Sequence, residues 1–323
     1  MADPRIVSLI PSATEIVAQL GLGQYLVGRS HECDFPAQVQ ALPVCTEPNF
    51  EPVGSSAEIH QRVSDLLQSA LSIYKIKTDI LAQLQPTHIV TQAQCEVCAV
   101  SLSEVEAAVA ELTQVKAQII SLQPATLADV WDDMRRVAEQ ISPEKNEKEK
   151  LAEAAIAPLQ ARVQTCRQRF ASLTHPPTVA CIEWTDPLMG AGNWIPELVT
   201  LAGGRALFGE VGQHSDWLSW PDLLAANPDV IIVMPCGYDL TQTRQATQAL
   251  CQNSSWPKLQ AVQQGRVYLT DGNQYFNRPG PRLVDSLEIL AEVLRPNLTQ
   301  PRYKTVGWEP FVSAEITADS ALP

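Results

Sequence analysis

The chain has 323 residues, 45% of them hydrophobic, and a formal net charge of -13 at neutral pH. That is material for one large domain or two medium ones, and so acidic a composition excludes nucleic acid or an anionic membrane as the main partner. No apolar run approaches the length that a bilayer requires, so no membrane insertion is expected.

Residues 5–10 read as a short, mostly apolar β-type run ended by Pro11. Ser12-Ala13-Thr14-Glu15 has the form of a capping box and opens a helix that stops at Gly21. Y-L-V-G-R-S is a second strand, leading into the loop H-E-C-D-F-P, and residues 41–54 are rich in loop formers. Ser55 and Glu58 make another capping-box pair. Thr78 to Gln85 is a short helix broken by Pro86, and the buried strand H-I-V-T follows at once. Ser101 and Glu104 cap the next helix, and A-Q-I-I-S-L is a strand that leads to Pro124.

Residues 142–173 then read as one long helix at mid-chain. Ser142 is placed to N-cap it and Pro143 to fill its first position. Glu144 and Glu147 suit the positive end of its dipole. Apolar residues recur at helical spacing: Leu151, Ala155, Leu159, Val163, Cys166 and Phe170. At 1.5 Å per residue the element would be roughly 45 Å long. Pro158 predicts a kink or a slack turn within it.

After that helix the pattern restarts. T-V-A-C-I-E-W is a strand, T-D-P-L-M-G-A-G a loop, and Asn193 the cap of a helix ending at Gly203-Gly204. Glu197-Leu-Val-Thr-Leu-Ala-Gly-Gly echoes Glu15-Ile-Val-Ala-Gln-Leu-Gly. L-L-A-A-N-P-D-V-I-I-V likewise echoes L-A-Q-L-Q-P-T-H-I-V, a helix stopped by proline and followed by a buried strand. The strand R-V-Y-L-T, the loop D-G-N-Q-Y-F-N-R-P-G-P and the helix R-L-V-D-S-L-E-I-L-A-E-V-L complete this half. The expected class is therefore α/β: two Rossmann-like lobes with parallel sheets, joined by the long helix, with a ligand cleft between them. The expected boundaries are an N-terminal lobe over 1–124, connecting helices over 125–175, a C-terminal lobe over 176–299 and a poorly ordered tail over 300–323.

R-I-V-S-L-I-P-S-A-T-E, V-G-R-S-H-E-C-D-F-P, L-x-P-x-x-I-V-T-Q, the mid-chain helix, G-A-G-N-W-I-P-E-L-V-T-L-A-G-G and N-P-D-V-I-I-V together resemble one group. It is the helical-backbone solute-binding proteins of ABC importers, in particular their cobalamin-binding branch, with siderophore and haem binders as relatives. The resemblance runs from Pro4 to about Pro296. It implies two lobes on a rigid helix, no catalytic activity, no required cofactor and a small-molecule ligand such as a corrinoid. Ligand contacts are implied at Pro11 and Ser12, at Asp34, Phe35 and Pro36, at Gln92, at Trp184 with Asp186 to Met189, and at Tyr275 and Phe276. His31, Asn193 and His214 are further candidates on neighbouring loops. A corrinoid is a broad apolar disc fringed with amides, which suits aromatic faces ringed by Ser, Asp and Asn.

The family docks a surface carboxylate of each lobe onto arginines of its ABC permease. Asp79 stands near the first such position, but Thr200 stands near the second. The start, M-A-D-P-R-I-V-S-L-I-P, shows no secretion leader either. Both departures point to a cytoplasmic relative, the alternative being a periplasmic protein whose leader has been trimmed; a monomer is expected in either case.

Eight cysteines without a leader read as thiols or ligands rather than as a disulfide framework. Cys95-Glu-Val-Cys98 is a redox pair, half of a metal site or two small buried side chains. With His31 and Cys33 it would complete a four-ligand site for zinc or iron, which defines a metal-binding or metal-sensing alternative. Cys45, Cys166, Cys181, Cys236 and Cys251 have no partner pattern, and His60, His88 and His175 read as solvated or structural. No G-x-S-x-G, H-E-x-x-H or phosphate-cradling glycine loop is present, so an enzyme is not expected.

Overall fold

The computed structural model of the chain describes residues 3–69, 72–92, 101–111, 117–142, 148–172 and 174–312. It divides into two compact units. The first comprises Met1–Gly54, Glu58–Ala161 and Pro279–Pro281; the second comprises Ser55–Ala57, Arg162–Arg278 and Arg282–Pro323.

The first unit is built on a four-stranded, all-parallel sheet. Its strands are β1 (Ile6–Ser8), β2 (Leu26–Arg29), β5 (His88–Gln92) and β6 (Gln118–Leu122), in the order β2-β1-β5-β6. Apart from it, β3 (Thr46–Pro48), inside the 41–54 stretch that reads as loop in sequence, pairs antiparallel with β4 (Tyr74–Ile76). The helices are α1 (Pro11–Gln19), α2 (Ser56–Gln68), α3 (Thr78–Leu84), α4 (Leu102–Glu111) and α5 (Leu127–Ile141). Val7, Leu9, Ile89, Leu81 and Val105 form an apolar cluster on one face of the sheet. Gly28 is required there, because a Cβ would lie 2.6 Å from Leu84 and 2.7 Å from the Cys45 sulfur.

Side-chain caps mark several helix starts. Thr126 and Asp129 form a reciprocal capping box on α5, and Ser101 and Glu104 do the same ahead of α4. α1 differs: it begins at Pro11, a residue before the expected cap, and Ser12, Thr14 and Glu15 are buried inside its first turns. Proline serves as the first helical residue because that position needs no N–H.

Helix α6 (Lys148–Phe170) runs without interruption through Pro158. Ser142 does not cap it. Its N–H bonds back to Ala138 and it closes α5 instead, while Pro143, Glu144 and Glu147 lie outside the described residues. Ala152, Ala155, Ile156, Leu159, Cys166 and Phe170 are the buried positions of α6.

Among the described residues the second unit holds seven strands. β7 (Thr178–Thr185), β8 (Leu188–Gly190), β10 (Asp216–Trp217), β11 (Val230–Val233), β12 (Val267–Thr270) and β13 (Trp308–Pro310) run in the order β10-β8-β7-β11-β12-β13, and β9 (Arg205–Ala206) adds to β7. The sheet is mixed rather than parallel. β9, β7, β11 and β12 are parallel, whereas β8, β10 and β13 are antiparallel to their neighbours. The cause is local: Asp186-Pro187 turns the chain in two residues, and so short a link joins only antiparallel strands. Helices α7 (Ile195–Leu201), α8 (Trp220–Ala226), α9 (Leu240–Leu250), α10 (Gln260–Gln263) and α11 (Leu283–Leu294) complete the unit. Asn193 adopts φ 51° and leaves the cap of α7 to Trp194, with Pro196 in the first turn.

The sequence echo is physical. α3 ends at Gln85 with φ 45°, then Pro86 and β5; α8 ends at Asn227 with φ 40°, then Pro228 and β11. In both units the residue after the proline binds the chain at the start of the first strand. Thr87 Oγ1 accepts the Arg5 N–H at 2.8 Å, and Asp229 Oδ2 accepts the Thr178 N–H at 2.7 Å.

The expected tail after residue 299 is structured as far as Pro310. β13 pairs with β12, and Trp308 is buried and donates its indole N–H to Glu292 at 2.7 Å. Arg162 on α6 bonds Glu288 and Asp285 of α11 at 2.9 and 2.5 Å, and the Tyr303 hydroxyl donates to the same two carboxylates at 3.0 Å. Polar composition suggested a tail, but its aromatic residues dock on α11. Trp308→Ala should therefore cost about 3–5 kcal/mol of stability in urea unfolding, and a loss under about 1 kcal/mol would show that the segment is not docked.

Candidate functional site

The carboxyl ends of parallel strands are where α/β sheets place functional loops. In the first unit these ends carry a buried hydroxyl–thiol cluster. The Thr14 hydroxyl, on α1, lies 2.8 Å from Ser8 Oγ and 3.0 Å from Cys33 Sγ, and Ser30 Oγ lies 3.2 Å from the same sulfur. Ser8 Oγ in turn donates to the Ile10 carbonyl. The cluster ties the 30–36 loop to the first turn of α1. Cys33 is 1% exposed and serves this packing.

His31 accepts or donates through Nδ1 to Thr46 Oγ1 at 2.8 Å and stands 5.2 Å from the Tyr74 ring. Burial, then Lys77 and Arg29, hold its imidazole below the ordinary value, with Glu47 opposing. Asp34 is half-buried and Phe35 is exposed. Pro11 and Ser12 are buried at the start of α1, and a Cβ on Gly280 would sit 3.5 Å from Ser12 Cα. Gln92 is buried at the end of β5. Asp79 is exposed in the first turn of α3; Thr200 is exposed on α7 and bonds the Pro196 carbonyl.

In the second unit the corresponding region is shaped by a bulge. Ile182 pairs with Gly190, yet Trp184 pairs with Met189, so two residues of β7, Glu183 and Trp184, oppose one of β8. Residues directly opposite in a sheet share a face. Trp184 is opposite Met189, and Met189 is opposite Trp217 on β10. Those three side chains line one face, and Ile182 and Leu188 pack into the apolar cluster on the other. Tyr238 extends the row, its ring 5.4 Å from Trp184. The row grades from buried Tyr238 through half-buried Trp184 and Met189 to Trp217, which is 62% exposed.

Polar groups border this row. Ser215 donates to the Glu183 carboxylate at 2.5 Å and accepts the Gly192 N–H at 2.9 Å. His214 Nδ1 lies 2.9 Å from the Ser215 carbonyl. Asn193 donates its N–H to Gln213 at 2.6 Å, and no side chain would fit on Gly192, whose Cβ would lie 2.5 Å from that carbonyl. Ser56 Oγ lies 2.7 Å from Thr185 Oγ1 and 3.4 Å from the Tyr238 hydroxyl. Burial raises the Tyr238 phenol above its ordinary value against the Ser56 hydrogen bond. The Trp184 indole N–H bonds the Asp186 carbonyl at 3.1 Å, and Asp186 itself is exposed.

Tyr275 and Phe276 lie in a π-helical turn and are both buried. Phe276 is fully covered and its carbonyl accepts the Trp194 indole N–H at 2.8 Å, while Tyr275 packs edge-on to Tyr303. Tyr238 and Trp217 are aromatic residues that sequence reasoning passed over. Trp217 stands in the same G-Q-H-S-D-W loop that drew attention to His214, and its signal was a large aromatic two residues past a polar turn.

Cys95 and Cys98 lie outside the described residues. Among the described residues no group of three or more His, Cys, Asp or Glu is placed to hold a metal ion. His31 and Cys33 are committed to hydroxyl partners, so the zinc or iron alternative has no support from them. The buried thiols are also poor ligands. Burial raises Cys45 to about 11 and Cys181 to about 12, and the thiolate is the reactive form.

Two α/β units, one on a parallel and one on a mixed sheet, with polar or aromatic loops at their strand ends, are the parts of a binding-protein fold. The chain matches the periplasmic binding protein family over residues 6–274 and belongs to it. The members of this family bind substrates and are not enzymes. The vitamin B12-binding protein of Vibrio cholerae is 25% identical over 301 residues, covering 90% of this chain and 89% of the relative. The ABC transporter substrate-binding lipoprotein YvrC of Bacillus subtilis is 20% identical over 301 residues, covering 91% and 80%. Among solved structures, the periplasmic haem-binding protein RhuT of Roseiflexus superposes with a TM-score of 0.66 at 23% identity, covering 92% of this chain and all of that one. The periplasmic vitamin B12-binding protein BtuF of Vibrio cholerae gives 0.61 at 22%, covering 92% and 98%. No helix among the described residues is long and apolar enough to cross a membrane.

These comparisons overturn the cytoplasmic placement. The relatives are described as periplasmic proteins or as a lipoprotein. A leader is cleaved from the mature protein, so the first residues of a sequence are a poor guide to compartment.

The core thiols give a direct check. Native protein treated with a thiol reagent at pH 8 should keep Cys45 and Cys181 unmodified until it is unfolded, as read by peptide mass mapping. Rapid native labelling of either would overturn their placement in the core.

Proposed function

We propose that this protein is an exported solute-binding protein that captures a corrinoid-like macrocycle or a related metal chelate for an ABC permease. The observation that carries this reading is the row Tyr238–Trp184–Met189–Trp217. A flat apolar disc needs aromatic and thioether surface of this breadth, since aromatic faces contribute both area and stacking. The row is exposed at one end, and an exposed tryptophan on a sheet edge is otherwise an aggregation liability. The vitamin B12-binding relatives support the same ligand class. The ligand is cargo, and nothing in the reading requires a bound metal of the protein's own. Asp79 is the exposed carboxylate offered to a basic permease surface.

Titration of the purified protein with cyanocobalamin, cobinamide and haemin, followed by tryptophan fluorescence and by calorimetry, tests this. At least one macrocycle should bind, and Trp184→Ala and Trp217→Ala should each weaken it by about tenfold or more, as aromatic anchors do. Flat titrations with all three would remove the reading.

A further inference from the structure

The chain has four methionines. Met134, on α5, and Met234, just after β11, are 0% exposed, and Met1 lies outside the described residues. Met189 is only half-buried, although Leu188 and Gly190 on either side of it are buried. It stands on β8 opposite Trp184 on one neighbouring strand and Trp217 on the other. Its face of the sheet is the one turned away from the apolar cluster of Ile182 and Leu188. The most accessible thioether among the described residues is thus also the centre of the aromatic row.

Building on the site proposed above, we propose that Met189 is an oxidation switch: a peroxide converts its thioether to the sulfoxide ahead of Met134 and Met234, and the oxidised row no longer holds the macrocycle. The step is a two-electron oxygen transfer. A sulfur lone pair attacks one oxygen of hydrogen peroxide, the S–O bond forms as the O–O bond breaks, and the second oxygen leaves as water. The thioether is oxidised and the peroxide is reduced. Only sulfur that solvent reaches reacts readily, which singles out Met189 from the two buried methionines. Before oxidation the sulfur makes favourable contacts with aromatic rings. Afterwards it carries a strong hydrogen-bond acceptor in the middle of an apolar surface, and covering that oxygen with a ligand costs its hydration. The Trp184 indole N–H is already bonded to the Asp186 carbonyl at 3.1 Å. An exported protein meets such oxidants outside the reducing thiol pool of the cytosol.

Hydrogen peroxide is the probe. Peptide mass mapping over a time course should show Met189 of the folded protein oxidised about tenfold or more faster than Met134 and Met234. After the peroxide is removed by gel filtration, the macrocycle that binds tightest in the titrations above should bind about tenfold or more weaker than before treatment. Incubation with the two methionine sulfoxide reductases and dithiothreitol should restore the affinity, and dithiothreitol alone should not, which separates the sulfoxide from oxidised thiols. In Met189→Leu protein, an exchange of similar volume, the affinities before and after peroxide should agree within about twofold. Three results would each overturn the inference and leave the site standing: Met134 or Met234 oxidised as fast as Met189, unchanged affinity of protein whose Met189 is the sulfoxide, or an equal loss in Met189→Leu protein. Failure of untreated protein to bind any of the three macrocycles would overturn both.

Discussion

The helical layer of the second unit hangs on Arg162. Its guanidinium is half-buried and is shared between Glu288 and Asp285, with the Tyr303 hydroxyl closing the ring of acceptors and donors. Burial alone would push the Glu288 carboxyl up, but Arg162 outweighs it and holds that group below the usual carboxylate range. Such a group is costly to break, because removing one member leaves its partners charged and partly desolvated. Its importance lies in what it connects. It joins α6 to α11 and to the segment that returns as β13, and α11 packs on α7, whose entry loop carries Gly190 to Asn193. The position of the β8 end is thereby referred back to a single charged group.

The bulge at Glu183 converts that rigid frame into a surface. Without the extra residue, Trp184 would share a face with Ile182 and enter the apolar cluster under the sheet. With it, Trp184 lines up with Met189 and Trp217, while Thr185 returns to the face of Leu188. One inserted residue thus moves an indole from the core face to the opposite face of the sheet and sets a carboxylate beside it. Tyr238, arriving from the end of β11, then finds a ring to pack on. Bulges next to functional sites commonly re-aim side chains in this way.

Strand and helix positions in the parallel parts of both sheets were legible because each signal was local. Proline after a left-handed residue stops α3 and α8, and the apolar runs after them are β5 and β11. Capping pairs such as Thr126 with Asp129 mark helix starts in the same way. Features that depend on pairing across the sheet were not legible. The loop T-D-P-L-M-G carries no alternation long enough to announce β8, and β10 is only two residues. β13 was hidden by polar neighbours, since what holds it is the contact of Trp308 with Glu292 rather than a hydrophobic run. Of the site, Trp184 and Asp186 were visible as residues at a strand end. Their alignment with Trp217 follows from register, which no single segment encodes.

The two units share a grammar and differ in what they do with it. Each has a strand, a helix entered near a proline, and a central strand launched from a left-handed turn, with the residue after the second proline hydrogen-bonded to the chain at the start of the first strand. Conformational demands of the backbone impose that likeness, so it says little about ligand. The strand ends diverge. In the first unit Ser8, Thr14, Ser30 and Cys33 are linked by hydrogen bonds that tie the loop to α1, with Phe35 left exposed. In the second unit the same location presents indole, thioether and phenol surface bordered by Glu183. A scaffold common to many ligands therefore acquires its selectivity from side chains that the scaffold itself leaves unconstrained, and chemistry at those few positions carries more information about cargo than the fold does.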